Sequence, residues 1–190
     1  IDRFPFGQLV TSHEGFPYAT AVPMYLDVQP DDTTQLVGHL ARHNPHAGTL
    51  AKGQPALAIF TGPNAYISAS WYEERPTVPT WNYIAAQVRG VLTPADDDDE
   101  QLSIMRTTIR RSETDSSSNW MMEHAPDGKV ETLLPHIRSF RIAISQMDAV
   151  TKLSQTHPVG DQTRVADALE ARGKVADLEI ARYMRDLLAN

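Results

Sequence analysis

Apolar and polar positions alternate through roughly the first 90 residues of the chain, the period-2 signature of strands half buried on a core. Phe6–Ser12 and Tyr18–Val28 predict two strands, and in the second Thr20, Val22, Met24 and Leu26 share a face. His13-Glu14-Gly15-Phe16-Pro17 between them is a hairpin signal. Gln35–Ala41 predicts a third strand. Asn44-Pro45 reads as a helix N-cap with proline at the first helical position, and Gly53 as the stop. Pro55–Thr61 is a continuous apolar strand, Gly62-Pro63-Asn64 a turn, and Ala65–Tyr72 and Thr80–Leu92 complete a meander of about six strands.

Beyond the meander the period changes. Asp96–Asp99 and Glu100 place five negative charges at a helix start, where the helix dipole favours them, and Leu102, Met105 and Ile109 follow at helical spacing. A solvated cap explains this run better than a metal cluster does. Ser139–Ser145 predicts another strand. Asp161–Arg172 and Ala176–Leu188 predict two helices, with Val165/Leu169 and Ile180/Met184 as i,i+4 apolar pairs that pack on the barrel or on a second subunit. Short strands with few helices give a fold class that is mainly β with helices (α+β), an antiparallel barrel rather than a parallel sheet.

Composition narrows the function. The 190 residues carry 17 Lys+Arg against 24 Asp+Glu, a formal net charge of −7. Arg106, Arg110 and Arg111 are the one local basic cluster, so direct nucleic-acid binding is disfavoured. Cysteine is absent, which removes disulfides, thiolate metal sites and cysteine nucleophiles. No apolar run approaches the roughly 20 residues of a membrane helix, and the opening residues show no signal-peptide pattern. These features predict a cytoplasmic globular protein. The start at Ile1 without an initiator methionine points to a short missing N-terminal piece.

Motifs for dinucleotide, P-loop, serine-hydrolase and HExxH chemistry are missing. His39, His43 and His46 form the one histidine cluster, and hydrogen-bonding duties explain it better than a metal does. Arg42 beside Asn44 at a helix start offers a guanidinium fork and free backbone N–H groups to a phosphate. In Tyr66-Ile67-Ser68-Ala69-Ser70-Trp71 a strand period puts Tyr66, Ser68 and Ser70 on one face. In Thr80-Trp81-Asn82-Tyr83 it separates Thr80 and Asn82 from Trp81 and Tyr83. Hydroxyls and an amide beside large rings suit a flat heteroaromatic ligand. For Trp71 and Trp81 a place in the core or a dimer interface explains the rings as well as a ligand wall does.

Together FGQLVTS (6–12), YATAVP (18–23), GHLARHNPH (38–46), ALAIFTGPNAYISASWY (56–72), VPTWNYIAAQVRG (78–90) and KLSQ (152–155) resemble the PaiB-type family of FMN-binding split-barrel proteins, named as negative transcriptional regulators. The resemblance implies an FMN-binding split β-barrel with C-terminal helices, residues 1–155 forming the barrel and 156–190 a helical extension of it. It implies a homodimer with FMN at the seam. Arg42 and His39 would meet the phosphate, with Asn44 capping the adjacent helix. Ser68 would bond the flavin or ribityl chain, and Trp71, Trp81 and Asn82 would line the ring cleft. Lys152, Ser154 and Gln155 would close the site. Thr156-His157 after KLSQ and Gln87 in the strand after PTWNY depart from the family pattern. Two functions follow, a PaiB-like regulator or flavin/redox sensor and an FMN-dependent oxidoreductase acting on a small molecule. A split barrel holding haem, another planar ligand or nothing is a third. No dedicated acid–base pair is legible, so no catalytic residue is assigned.

Overall fold

The computed structural model describes residues 1–189. Six antiparallel strands close in the order β1-β2-β3-β6-β5-β4: β1 is Phe6–His13, β2 Phe16–Val28, β3 Thr34–Ala41, β4 Gln54–Ile67, β5 Thr80–Ala95 and β6 Ile137–Lys152. The helices are α1 Pro45–Thr49, α2 Asp98–Asp115, α3 Lys129–Leu133, α4 Val159–Arg172 and α5 Val175–Leu188. Two compact units share the chain, one of Ile1–Phe60 with Gln87–Asp148, the other of Thr61–Ala86 with the residues from Ala149 onward.

In the first unit the β1–β2 turn is tighter than the sequence predicts. Glu14 and Gly15 both adopt positive φ, 51° and 81°, so two residues suffice and His13 pairs with Phe16. Such a turn matches the right-handed twist of its flanking strands. Leu9, Val22, Met24, Leu36, Phe140 and Ile142 are buried side chains of this unit. Gly38, paired with Met24 on β2 and Phe140 on β6, makes room for both: a Cβ there would lie 2.8 Å from the Phe140 ring and 2.9 Å from Met24 Cγ. Tyr25, Val37, Ala95 and Ile104 form a second apolar cluster in this unit, which brings α2 onto the strands. Asp97 caps α2, accepting from Glu100 N at 3.1 Å, and Asp98, Asp99 and Glu100 occupy its first turn.

The turn expected at Gly62-Pro63-Asn64 is absent, because β4 runs straight through it to Ile67. What changes there is phase: the buried positions are Ala56, Ala58 and Phe60 before Thr61-Gly62, and Pro63, Ala65 and Ile67 after it. The change falls where the uninterrupted strand passes from the first unit to the second, so the face that is covered switches there. The strand expected over Ala65–Tyr72 ends at Ile67, and Ala69–Trp71 is a 3₁₀ turn capped by Ser68. β6 begins two residues before the expected Ser139–Ser145 and runs seven residues beyond it.

The second unit buries Ala65, Ile67, Tyr72 and Leu153 with Val165, Leu169, Ile180 and Met184, so the apolar pairs predicted for α4 and α5 are its core. Gly173, at φ 70°, ends α4 in the left-handed region, and α5 begins at Val175. Among the described residues no helix is long and apolar enough to cross a membrane.

Candidate functional site

The residues singled out from sequence divide between the units. His39, Arg42 and Asn44 lie in the first; Ser68, Trp71, Trp81, Asn82, Lys152, Ser154 and Gln155 lie in the second.

In the first unit, β3 ends at Ala41 and Arg42 follows, its backbone N–H donating to His136 O at 2.8 Å and its Nε to Ile137 O at 3.2 Å. The guanidinium is exposed, and its two terminal nitrogens have no partner among the described residues. His39 pairs in register with Ser139 on β6, and both His39 Nδ1 and Ser139 Oγ are buried without a partner. Burial holds the His39 imidazole below the usual histidine range.

The helix start does not supply the free N–H groups expected of it. Asn44 Oδ1 accepts from His46 N at 2.9 Å, Ala47 N donates to Asn44 O, and Pro45 has no N–H to give. An N-cap that satisfies its own helix leaves nothing there for an anion. His46 is buried between two threonines, Nε2 at 2.9 Å from Thr11 Oγ1 and Nδ1 at 2.9 Å from Thr20 Oγ1. Burial lowers its pKa as well. It bolts α1 to the β1–β2 hairpin, the hydrogen-bonding duty expected of that cluster.

In the second unit Asn82 and Ser154 meet in the interior. Asn82 Nδ2 donates to Ser154 Oγ at 3.0 Å, Ser154 Oγ donates to Asn82 Oδ1 at 3.2 Å, and Tyr72 OH lies 3.3 Å from the same hydroxyl. Met184 Sδ accepts from Asn82 at 3.5 Å. Ser154 sits at φ 60°, and the turn it makes is held by Gln155, which accepts from Leu153 N and donates to Thr151 O, each at 2.6 Å. Exposed side chains flank Asn82 and Ser154 in the chain. Lys152 Nζ donates to Thr80 Oγ1 at 2.6 Å, and Trp81, 53% exposed, meets Tyr66 edge-on with ring centroids 5.8 Å apart.

Ser68 is not on a strand face with Tyr66 and Ser70, because β4 has already ended. It accepts from Ser70 N at 3.3 Å, and its hydroxyl lies 2.8 Å from that of Ser70. Trp71 packs half-buried against the core of the unit under the Arg172 guanidinium, 5.2 Å from the ring centroid.

Three residues here escaped sequence reasoning. Tyr72 and His157 stack at 4.3 Å between centroids. Asp161, fully buried in the first turn of α4, accepts from the backbone N–H groups of Glu73, Glu74 and Arg75 at 2.8, 3.1 and 2.8 Å and from Arg164. Despite the burial that opposes it, this donor set holds the carboxylate far below the usual range. An acid in a helix's first turn was the available signal, but nothing in the sequence pairs it with residues 73–75.

The family described as "Putative FMN-binding domain" matches residues 1–146. The Bacillus subtilis protein "Protease synthase and sporulation protein PAI 2" is 32% identical over 190 residues, spanning 99% of this chain and 89% of its own length. Among solved structures, the flavocytochrome Anf3 from Azotobacter vinelandii superposes with a TM-score of 0.57 at 10% identity, over 80% of this chain and 63% of that one. The FAD and heme binding protein from Mycobacterium smegmatis gives 0.55 at 17% identity, over 80% and 67%. At such identities these two structures establish the shared fold alone. The family match and the Bacillus relative establish membership: the chain belongs to the PaiB-type FMN-binding family, and its cofactor is FMN.

Proposed function

We propose that the chain acts as a homodimeric flavin sensor in regulation, working through a ligand or protein partner rather than by direct contact with DNA. The observation that carries this reading is what the second unit presents: an exposed indole in contact with a tyrosine, paired serine hydroxyls, an exposed lysine, and a buried amide–hydroxyl pair. A planar ring with a polar edge is the ligand such a set suits.

The donor chemistry of each unit fits a part of FMN. In the first unit Arg42, with two unengaged guanidinium nitrogens, is assigned to the phosphate, beside His39 with its orphaned Nδ1 and with Asn44 fixing the local backbone. In the second, Ser68 is assigned to the flavin or ribityl chain, and Trp81 and Trp71 to the ring. Lys152 is assigned to closing the site, and Asn82, Ser154 and Gln155 to holding its shape. Bound FMN would supply one- or two-electron redox chemistry; the residues hold and orient it. The formal charge of −7 opposes a DNA surface. Protease synthesis and sporulation, named for the Bacillus subtilis relative, are outcomes of regulated expression, which supports a regulatory role. Exposed Phe6 and Phe16 supply apolar surface for a second copy.

Titration with FMN, followed by quenching of flavin fluorescence, tests the reading. Arg42→Ala should weaken binding about tenfold or more with the far-ultraviolet circular dichroism unchanged. Unchanged affinity would overturn the phosphate assignment. Repeated bleaching and air-recovery of the flavin band with NAD(P)H and a small-molecule acceptor would assign the oxidoreductase function instead, and strong salt-dependent binding to a promoter fragment would overturn the partner route.

A further inference from the structure

The first unit contains a cleft of about 440 Å³ between α2 and the segment that carries α3. Its wall is thioether, indole and aliphatic: Met105, Ile109, Trp120, Met122, Leu133 and Leu134. Of its lining side chains only Lys129 and His136 can carry charge, both of them positive, and no carboxylate lines it. Lys129 opens α3, is exposed, and has no ion-pair partner among the described residues. A neighbouring cleft of about 690 Å³ shares Ile109, Trp120 and Met122 but sets Glu113 and Glu123 against Arg106 and Arg110, with Arg106 Nε 3.4 Å from Glu123. Its charges are balanced; those of the smaller cleft are not.

A concave, largely apolar cavity of a few hundred cubic ångströms with one or two polar groups at its edge is the form a small-molecule site takes. Leu133 and Trp120 are 48% and 41% exposed here, apolar surface whose cover would be favourable. The unbalanced positive charge selects the sign of the ligand. We propose that this cleft binds a small amphipathic carboxylate, its apolar body of about ten carbons against α2 and α3 and its carboxylate at Lys129 and His136. None of its lining side chains is assigned to FMN, and it meets the phosphate-assigned segment only at its edge, where the carbonyls of His136 and Ile137 accept from Arg42.

Calorimetric titration of the full chain with decanoate and with decanol tests the assignment. Decanoate should bind saturably and about fivefold more tightly than decanol, the size of one exposed charge pair. Lys129→Gln should erase that preference, and Val130→Trp, which fills the half-buried wall, should abolish both titrations while the thermal midpoint holds. Absence of saturable decanoate binding, equal affinity for the two probes, or undiminished binding in Val130→Trp would overturn the proposal. Should Val130→Trp lose its fold, emission decides: a decanoate-induced change in tryptophan fluorescence should vanish in Trp120→Phe, and its persistence there would overturn the site.

Discussion

Asn82 and Ser154 both belong to motifs that the family resemblance ties to the flavin, yet they bond to each other in the interior of the second unit, and this permits a sharp separation of scaffold from contact. Asn82→Ala removes two hydrogen bonds to Ser154 and one weak contact to Met184. At about 1 kcal/mol net for each good bond, with added loss from the void, the cofactor-free protein should lose about 2–4 kcal/mol. Ser154→Ala breaks the same two bonds and the one to Tyr72, and strands a buried amide, for about 2–3 kcal/mol. The shared bonds are counted in both single variants, so the double variant should fall short of the sum by about 1–2 kcal/mol. The assay is urea unfolding of wild type, both singles and the double, without FMN, comparing midpoints at a common slope. Strict additivity, or single variants as stable as wild type, would show that the interior pair does not hold this unit together. The same proteins titrated with FMN then reveal what remains of a direct contact once stability is accounted for.

Three further outcomes follow from particular groups. Asp161→Asn should lower the thermal midpoint by roughly 10 °C, since a neutral amide offers the three N–H groups of residues 73–75 and Arg164 a poorer acceptor. Because its folded pKa is depressed, the wild-type advantage over this variant is full above the unfolded aspartate pKa near 4 and shrinks as the pH falls from there toward the folded value, which thermal melts down an acid series would register. His39 and His46 are likewise depressed, so stability should be full above about pH 6.5 and decline on acidification by at most about 1.4 kcal/mol per pH unit for each; His46→Gln should flatten that slope, and an unchanged slope would remove His46 from the account. Gly38→Ala should cost about 1–3 kcal/mol in urea, because Phe140 and Met24 occupy the place of the added methyl.

Much of this architecture is written in local pattern. Period-2 runs locate β1, β2 and β3 within a few residues, and Asn44-Pro45 marks α1. The i,i+4 pairs of α4 and α5 identify the side chains that fill the second core. The failures share a cause. Gly62-Pro63 is a turn signal that the ladder on either side overrides, and Ser68 obeys its own capping chemistry rather than the strand period. The stretch from Ser116 to His136, which holds two 3₁₀ turns and α3, has no sustained period and yielded no prediction, although it walls the apolar cleft. Among candidate site residues, motif membership located Arg42, Ser68, Trp81 and Lys152 on accessible positions, but it could not distinguish them from Asn82 and Ser154, whose burial depends on contacts 72 and 102 residues away in the chain.

The phase shift in β4 constrains how this chain can change its length. Upstream of Thr61-Gly62 the even-numbered side chains are covered, downstream the odd ones. Losing a single residue at that junction would transpose every later side chain of the strand, turning Ala65 and Ile67 outward and sending Asn64 and Tyr66 into an apolar interior. Removing two residues together preserves the alternation. Length variation at this point is therefore tolerable in even steps only, a counting rule that a deletion series through residues 61–62 would expose directly.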